Sequence, residues 1–276
     1  MGAAVTLRPD AVRWWPNGST SVVNVLASVV FVPSAPLLVP QVAGPGATDT
    51  EAVREATRTA GRELAAAATE FVAIGARDDD SAAEIGVDGD FGRFGVPMAV
   101  TLRRPAAVAV QSGTARKDTL DLSPSDLPLS MLIAGWLRAE SGIEAVEPVT
   151  VARDALPADC ARVGAELRRR IDADPGRVGV LVVADGATAL SARAPGGGLR
   201  PGAVDMQRRI DQALAAADTD TLAALDPTAC AHAGVAGRPA WQVAAALCSG
   251  RQFASRLAYR DAPFGVGYTV VTWTPR

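Results

Sequence analysis

Short, wholly apolar runs punctuate this chain, and longer stretches with helical periodicity lie between them. The first run, VLASVVFV at Val25–Val32, is β-branched and stops at Pro33, which predicts a buried strand. FVAIG at 71–75 repeats the pattern, 145–151 is strand-like, and RVGVLVV at Arg177–Val183 is the most uniform of the runs. Strands apolar on both faces belong in a sheet covered on both sides. Helices are predicted from the Thr48, Asp49 or Thr50 caps to about Ala68, with Glu51 and Glu55 near the positive end. Further helices are predicted over 128–140, 157–172, 201–217, about 219–225 and 239–248. Val96 opens a predicted strand pair, 96–102 with 106–110, after a stretch carrying Gly86, Gly89, Gly92 and Gly95. Two closing strands, about 252–260 and 266–273, flank DAPFG and add an antiparallel component. The alternation predicts a three-layer α/β/α fold with a mixed central sheet, in one domain over 25–276. Residues 1–24 read as an irregular extension.

Composition narrows the chemistry. The 276 residues carry a net charge of −3, which argues against a nucleic-acid surface. No charge falls between Trp14 and Thr48, but Pro33, Pro36 and Pro40 break that stretch before it could span a bilayer. A cytoplasmic location without membrane attachment is the expectation. Lys117 is the single lysine and His232 the single histidine. One imidazole excludes every site that needs two, including zinc-protease and two-histidine iron centres. Cys160, Cys230 and Cys248 lack paired spacing, so neither a zinc ribbon nor a disulfide framework is expected. Cys230 and His232 are two positions apart, which on a helix turns them to different faces.

In open α/β sheets, ligands bind beyond the carboxyl ends of the strands. Three predicted strand ends carry polar residues: Ser34 with Pro36, Arg77 with Asp78, and Asp185 with Gly186 and Thr188. Together with Arg238 these are the candidate pocket. Asp78 and Asp185 also suit helix or turn caps. The run Asp78, Asp79, Asp80 offers oxygen ligands for a hard cation, although three consecutive acids do not face one point. Ser34 lacks a nucleophile elbow, and the glycines at 196–198 lack the lysine of a phosphate loop.

FVPSAPLLVP at 31–40 resembles the opening of the class III extradiol ring-cleavage dioxygenases of the LigB type. The resemblance continues in order through FVAIG at 71–75, LPLSMLI at 127–133, LVVADG at 181–186, LDP at 225–227, GRPAWQ at 237–242 and DAPFGVGY at 261–268. It runs from about residue 25 to the C-terminus and points to an actinobacterial branch of LigB-domain proteins. The resemblance implies an α/β fold with a mixed sheet. In the family's enzymes two histidines and a glutamate hold Fe(II), and another histidine acts as acid and base in opening a catechol ring with O₂. Here the first ligand position falls at Ser34, and the second falls where Arg77 and Asp78 stand. The catalytic histidine's loop carries Ala187, Thr188 and Ala189, and Arg238 and Pro239 stand where the glutamate is expected.

The resemblance therefore implies the fold and the cleft without the iron chemistry. The leading expectation is a pseudoenzyme that binds a small molecule or a protein partner in the old cleft, with no cofactor. A second reading is an enzyme with Asp185 or Asp78 as base and Arg77 or Arg238 as anion clamp. A third keeps an oxygenase with aspartate ligands to the metal. A homodimer is compatible with all three.

Overall fold

The computed structural model describes residues 25–78, 86–103, 127–173 and 175–276. Residues 1–24, the predicted strand at 106–110, and Asp79 and Asp80 lie outside the described residues. The described chain is a mixed α/β fold with helices on both faces of a six-stranded sheet.

The sheet order is β5 (Glu147–Ala152), β2 (Glu70–Arg77), β6 (Arg177–Val183), β1 (Val25–Val32), β8 (Tyr268–Pro275), β7 (Phe253–Asp261). The first four strands are parallel, whereas β8 runs antiparallel to β1 and β7 antiparallel to β8. The most uniformly apolar run, β6, sits between β1 and β2. Successive side chains of a strand point to opposite faces, so β6 feeds two cores. Val178, Val180 and Val182 face one cluster, and Leu181 and Val183 face the other.

Helices α2 (Glu51–Ala67) and α3 (Leu129–Glu140) cover the Leu181 face. The Val180 face is covered by α4 (Pro157–Ala173), α5 (Ala203–Ala216) and α8 (Arg238–Cys248). Shorter helices among the described residues are α1 (Pro40–Ala43), α6 (Thr219–Ala223) and α7 (Pro227–Ala233). Asp218 and Asp226 cap α6 and α7 by accepting from the Thr221 and Ala229 N–H groups. Trp273 of β8 locks α5 to the sheet. Its indole Nε1 donates to the Leu214 carbonyl at 2.7 Å, and its ring packs on Phe31 at 4.4 Å.

Within the predicted strand at 96–102 the structure shows β4 (Ala99–Thr101), which pairs antiparallel with β3 (Asp88–Asp90) from the glycine-rich stretch before it. Gly89 makes this strand: a Cβ there would lie 2.7 Å from Leu127 and Leu132 side-chain carbons, so only glycine lets it pack so closely.

Candidate functional site

The parallel arrangement puts the ends of β1, β2 and β6 on one edge, since Val32 and Gly75 both register with Val183. The Ala184 N–H donates to the Val32 carbonyl at 2.9 Å and carries the β1–β6 pairing past the last strand residues. One step further, the Ser34 N–H donates to Asp185 Oδ1 at 2.7 Å. Two loops 151 residues apart in sequence thus meet through a backbone donor and a carboxylate. The turn after Ser34, Pro36–Leu38, is held by the buried Arg54 of α2. The Arg54 guanidinium donates to the carbonyls of Leu38 and Leu37 at 3.1 and 3.2 Å.

Because β8 is antiparallel to β1, its start arrives at this same edge. Gly186 N–H donates to the Gly267 carbonyl, and Gly267 N–H donates to the Ala187 carbonyl, both at 2.9 Å. Gly237, at the entry to α8, packs directly on this segment: a Cβ there would stand 2.7 Å from the Asp185 carbonyl oxygen. Ser34, the loop after Asp185 and the segment before Trp241 therefore converge.

Burial pushes the Asp185 carboxyl up to about 7, against the opposing pull of the Ser34 N–H bond. Burial also raises the Tyr268 phenol, with lesser contributions from Asp185 and Tyr259. The edge thus holds a carboxyl poised to exchange a proton near neutrality beside a phenol that stays protonated.

The remaining candidates divide. Pro36 follows in the Ser34 turn, and Gly186 lies in the loop joined to Gly267. Thr188 Oγ1 donates to the Gly234 carbonyl at 3.2 Å, so its hydroxyl secures α7 to the loop. Asp78 turns away: its side chain is 82% exposed and pairs with Arg153 Nη2 at 3.1 Å, on the β5 side. The Arg77 carbonyl accepts from the Arg153 N–H, which continues the β2–β5 pairing. Arg238 is buried, and its Nη2 donates to the carbonyls of Ala155 and Arg153 at 2.6 and 3.4 Å, while its Nη1 donates to Gln242 Oε1 at 2.5 Å. Those bonds make it a clamp on the β5–α4 loop and leave little of it for an anion.

The donor set does not fit the iron that the resemblance implies. Ser34 offers the site a backbone N–H, Asp78 points to the surface on the β5 side, and Arg238 brings positive charge. Among the described residues no group of three or more His, Cys, Asp or Glu side chains could hold a metal ion. His232 is exposed in the last turn of α7. All three thiols are free and buried, and burial pushes Cys160 and Cys230 up to about 11 and Cys248 up to about 12. No thiolate nucleophile is available there near neutral pH.

A buried polar chain beside the site escapes the sequence reading. Gln207 Oε1 accepts from the Ala187 N–H at 2.7 Å, and Gln207 Nε2 donates to Asp211 Oδ1 at 2.8 Å. Thr269 Oγ1 donates to the same Oδ1 at 2.6 Å. Gly186 and Gly267 make room for it, since a Cβ on either would lie about 2 Å from Gln207 Oε1. The available signal was spacing: Gln207 and Asp211 fall on the buried stripe of α5 with Ala203, Ile210 and Leu214.

Among the described residues no helix is long and apolar enough to cross a membrane. No family model matches the chain, and no curated protein matches it. Among solved structures it is similar to a protein titled "uncharacterized protein JW3007 from Escherichia coli K12". The likeness has 12% identity and a TM-score of 0.45, and covers 89% of this chain and 99% of that one.

Proposed function

We propose that this chain is a LigB-like shell without the iron centre, a pseudoenzyme for ring cleavage whose cleft binds a small polar molecule at the Ser34–Asp185 edge. The observation that carries this reading is the 2.7 Å bond from the Ser34 N–H to Asp185 Oδ1. It occupies the position of the family's first ligand with a donor, which repels a cation and orients a carboxylate. The second oxygen of Asp185 remains for a ligand, as hydroxyl or as carboxylate, because the group titrates near 7. The same titration favours a second reading, an enzyme using Asp185 as general acid or base. Arg238 does not serve it as anion clamp, since its donors are spent on main-chain carbonyls.

Elemental analysis after anaerobic incubation with Fe(II), Mn(II) or Zn(II) tests the first half. The expected result is metal far below one equivalent, with no O₂ uptake on adding catechol. Stoichiometric metal that is lost in Asp185→Ala, together with O₂ uptake, overturns it. Ligand-observed NMR with a library of small alcohols, phenols and carboxylic acids tests the second half. Fragments that bind the wild type and not Asp185→Asn are expected; no such fragment overturns the assignment of the cleft.

A further inference from the structure

A separate groove lies between α5 and the β7–β8 hairpin, with a volume of about 540 Å³, within the range of metabolite pockets. Asp211 forms its floor, and Arg208 and Arg260 line it from opposite elements, α5 and β7. Leu190 and Val204 supply an apolar wall, and Val204 is 48% exposed.

The floor is built for more than internal packing. Asp211 is only 8% exposed, yet its hydrogen bonds among the described residues, from Thr269 and Gln207, both land on Oδ1. An amide oxygen would accept those two bonds without bringing a charge out of water. What the carboxyl adds is a second oxygen and a charge at the floor of the groove. Burial raises this carboxyl, while the Thr269 and Gln207 bonds and the nearby Arg260 charge pull the other way.

The rim carries the opposite sign. Arg260 is exposed, and among the described residues Arg208 pairs with Asp205 at the surface, at 2.7 Å, between side chains 60% and 76% exposed. Such a pair holds its arginine weakly, so the guanidinium is available to a ligand. A guanidinium recognises a carboxylate in two parallel bonds, and an apolar wall accommodates a short carbon skeleton.

We propose that this groove is a binding site for small carboxylates that carry a hydroxyl or ammonium group a few bonds away. The carboxylate sits between Arg208 and Arg260, and the hydroxyl or ammonium donates to the free oxygen of Asp211. This assignment does not depend on the reading of the Ser34–Asp185 edge.

The test is titration of the full chain with L-malate, L-lactate and L-serine, with propionate and 1-propanol as controls that each lack one half of the pattern, followed by amide NMR shifts. At least one of the three is expected to bind at least tenfold more tightly than either control. The shifts are expected at 187–190, 204–212 and 260–269. Arg260→Ala, at an exposed position, is expected to weaken binding at least tenfold, and Asp211→Asn to remove the preference over propionate. Three results each overturn the proposal: no binding of any of the three, binding unchanged by Arg260→Ala, or shifts centred on Ser34 and Asp185 instead. If Asp211→Asn does not fold, the Arg260→Ala and propionate comparisons still decide.

Discussion

Replacing Asp185 by asparagine isolates the cost of holding a carboxyl at the sheet edge. Asparagine keeps an Oδ1 acceptor for the Ser34 N–H, so the 2.7 Å bond survives and only the titration is lost. Burial raises the carboxyl from 3.8 to about 7 in the folded chain. A raised acid favours the protonated folded state. Its contribution is complete below pH 4, declines as the pH rises to 7, and is gone above 7. At about 1.4 kcal/mol per pKa step, the whole loss is bounded at ~4 kcal/mol, and the part between pH 5 and 8 at ~3 kcal/mol. Urea unfolding of wild type and Asp185→Asn at half-unit intervals from pH 5 to 8.5 measures it, because other titrating groups cancel in the difference. The variant is expected to gain on the wild type by about 2–3 kcal/mol between pH 5 and 7, and by nothing further above pH 7.5. A difference that stays flat over the range refutes the buried, proton-exchanging carboxyl, and with it the chemical basis of the proposed cleft.

Two further variants test how the edge is supported. Gly75→Ala places a methyl 2.3 Å from Ser130 Oγ and 2.4 Å from its Cβ, where α3 meets the end of β2, and is expected to cost about 1–3 kcal/mol in urea unfolding. Adding Ser130→Gly, which removes both atoms, should recover part of that loss, less about 1 kcal/mol for the bond from Ser130 Oγ to the Ala76 carbonyl and about 1 kcal/mol for glycine in a helix; no recovery counts against this contact as the cause. Arg238→Met keeps an apolar stem and removes the bonds to Ala155, Arg153 and Gln242. It is expected to cost about 2–4 kcal/mol, since buried acceptors lose a charged donor; a cost under about 0.5 kcal/mol would show that Arg238 is not a structural clamp.

What was legible in the sequence follows from where each residue finds its partner. The parallel strands β1, β2 and β6 were readable because being buried on both faces leaves a continuous apolar run, and β1 and β6 match their predicted spans, Val25–Val32 and Arg177–Val183, residue for residue. The meeting of Ser34 with Asp185 was readable for the same reason: parallel strands deliver their carboxyl ends to one edge whatever the sequence between them. The β3–β4 pair was not, because its partner strand, Asp88–Asp90, has no apolar pattern and depends on how closely Gly89 approaches Leu127 and Leu132. Gln207 and Asp211 left a trace in helical spacing, yet a polar residue on a buried stripe becomes informative only once its partners are known, and Thr269 is 58 positions from Asp211. Arg238 left none. Beside a proline at a helix start and with no acid nearby, it has the sequence appearance of an anion clamp. Its strongest partner is the carbonyl of Ala155, 83 positions away. Every residue carries such a carbonyl, so no side-chain pattern can announce which one a buried arginine will take. Arginine satisfied by main chain and arginine waiting for a ligand are thus indistinguishable in sequence, and they separate in the fold by burial: Arg238 is 2% exposed, whereas Arg208 and Arg260 stand open to the groove.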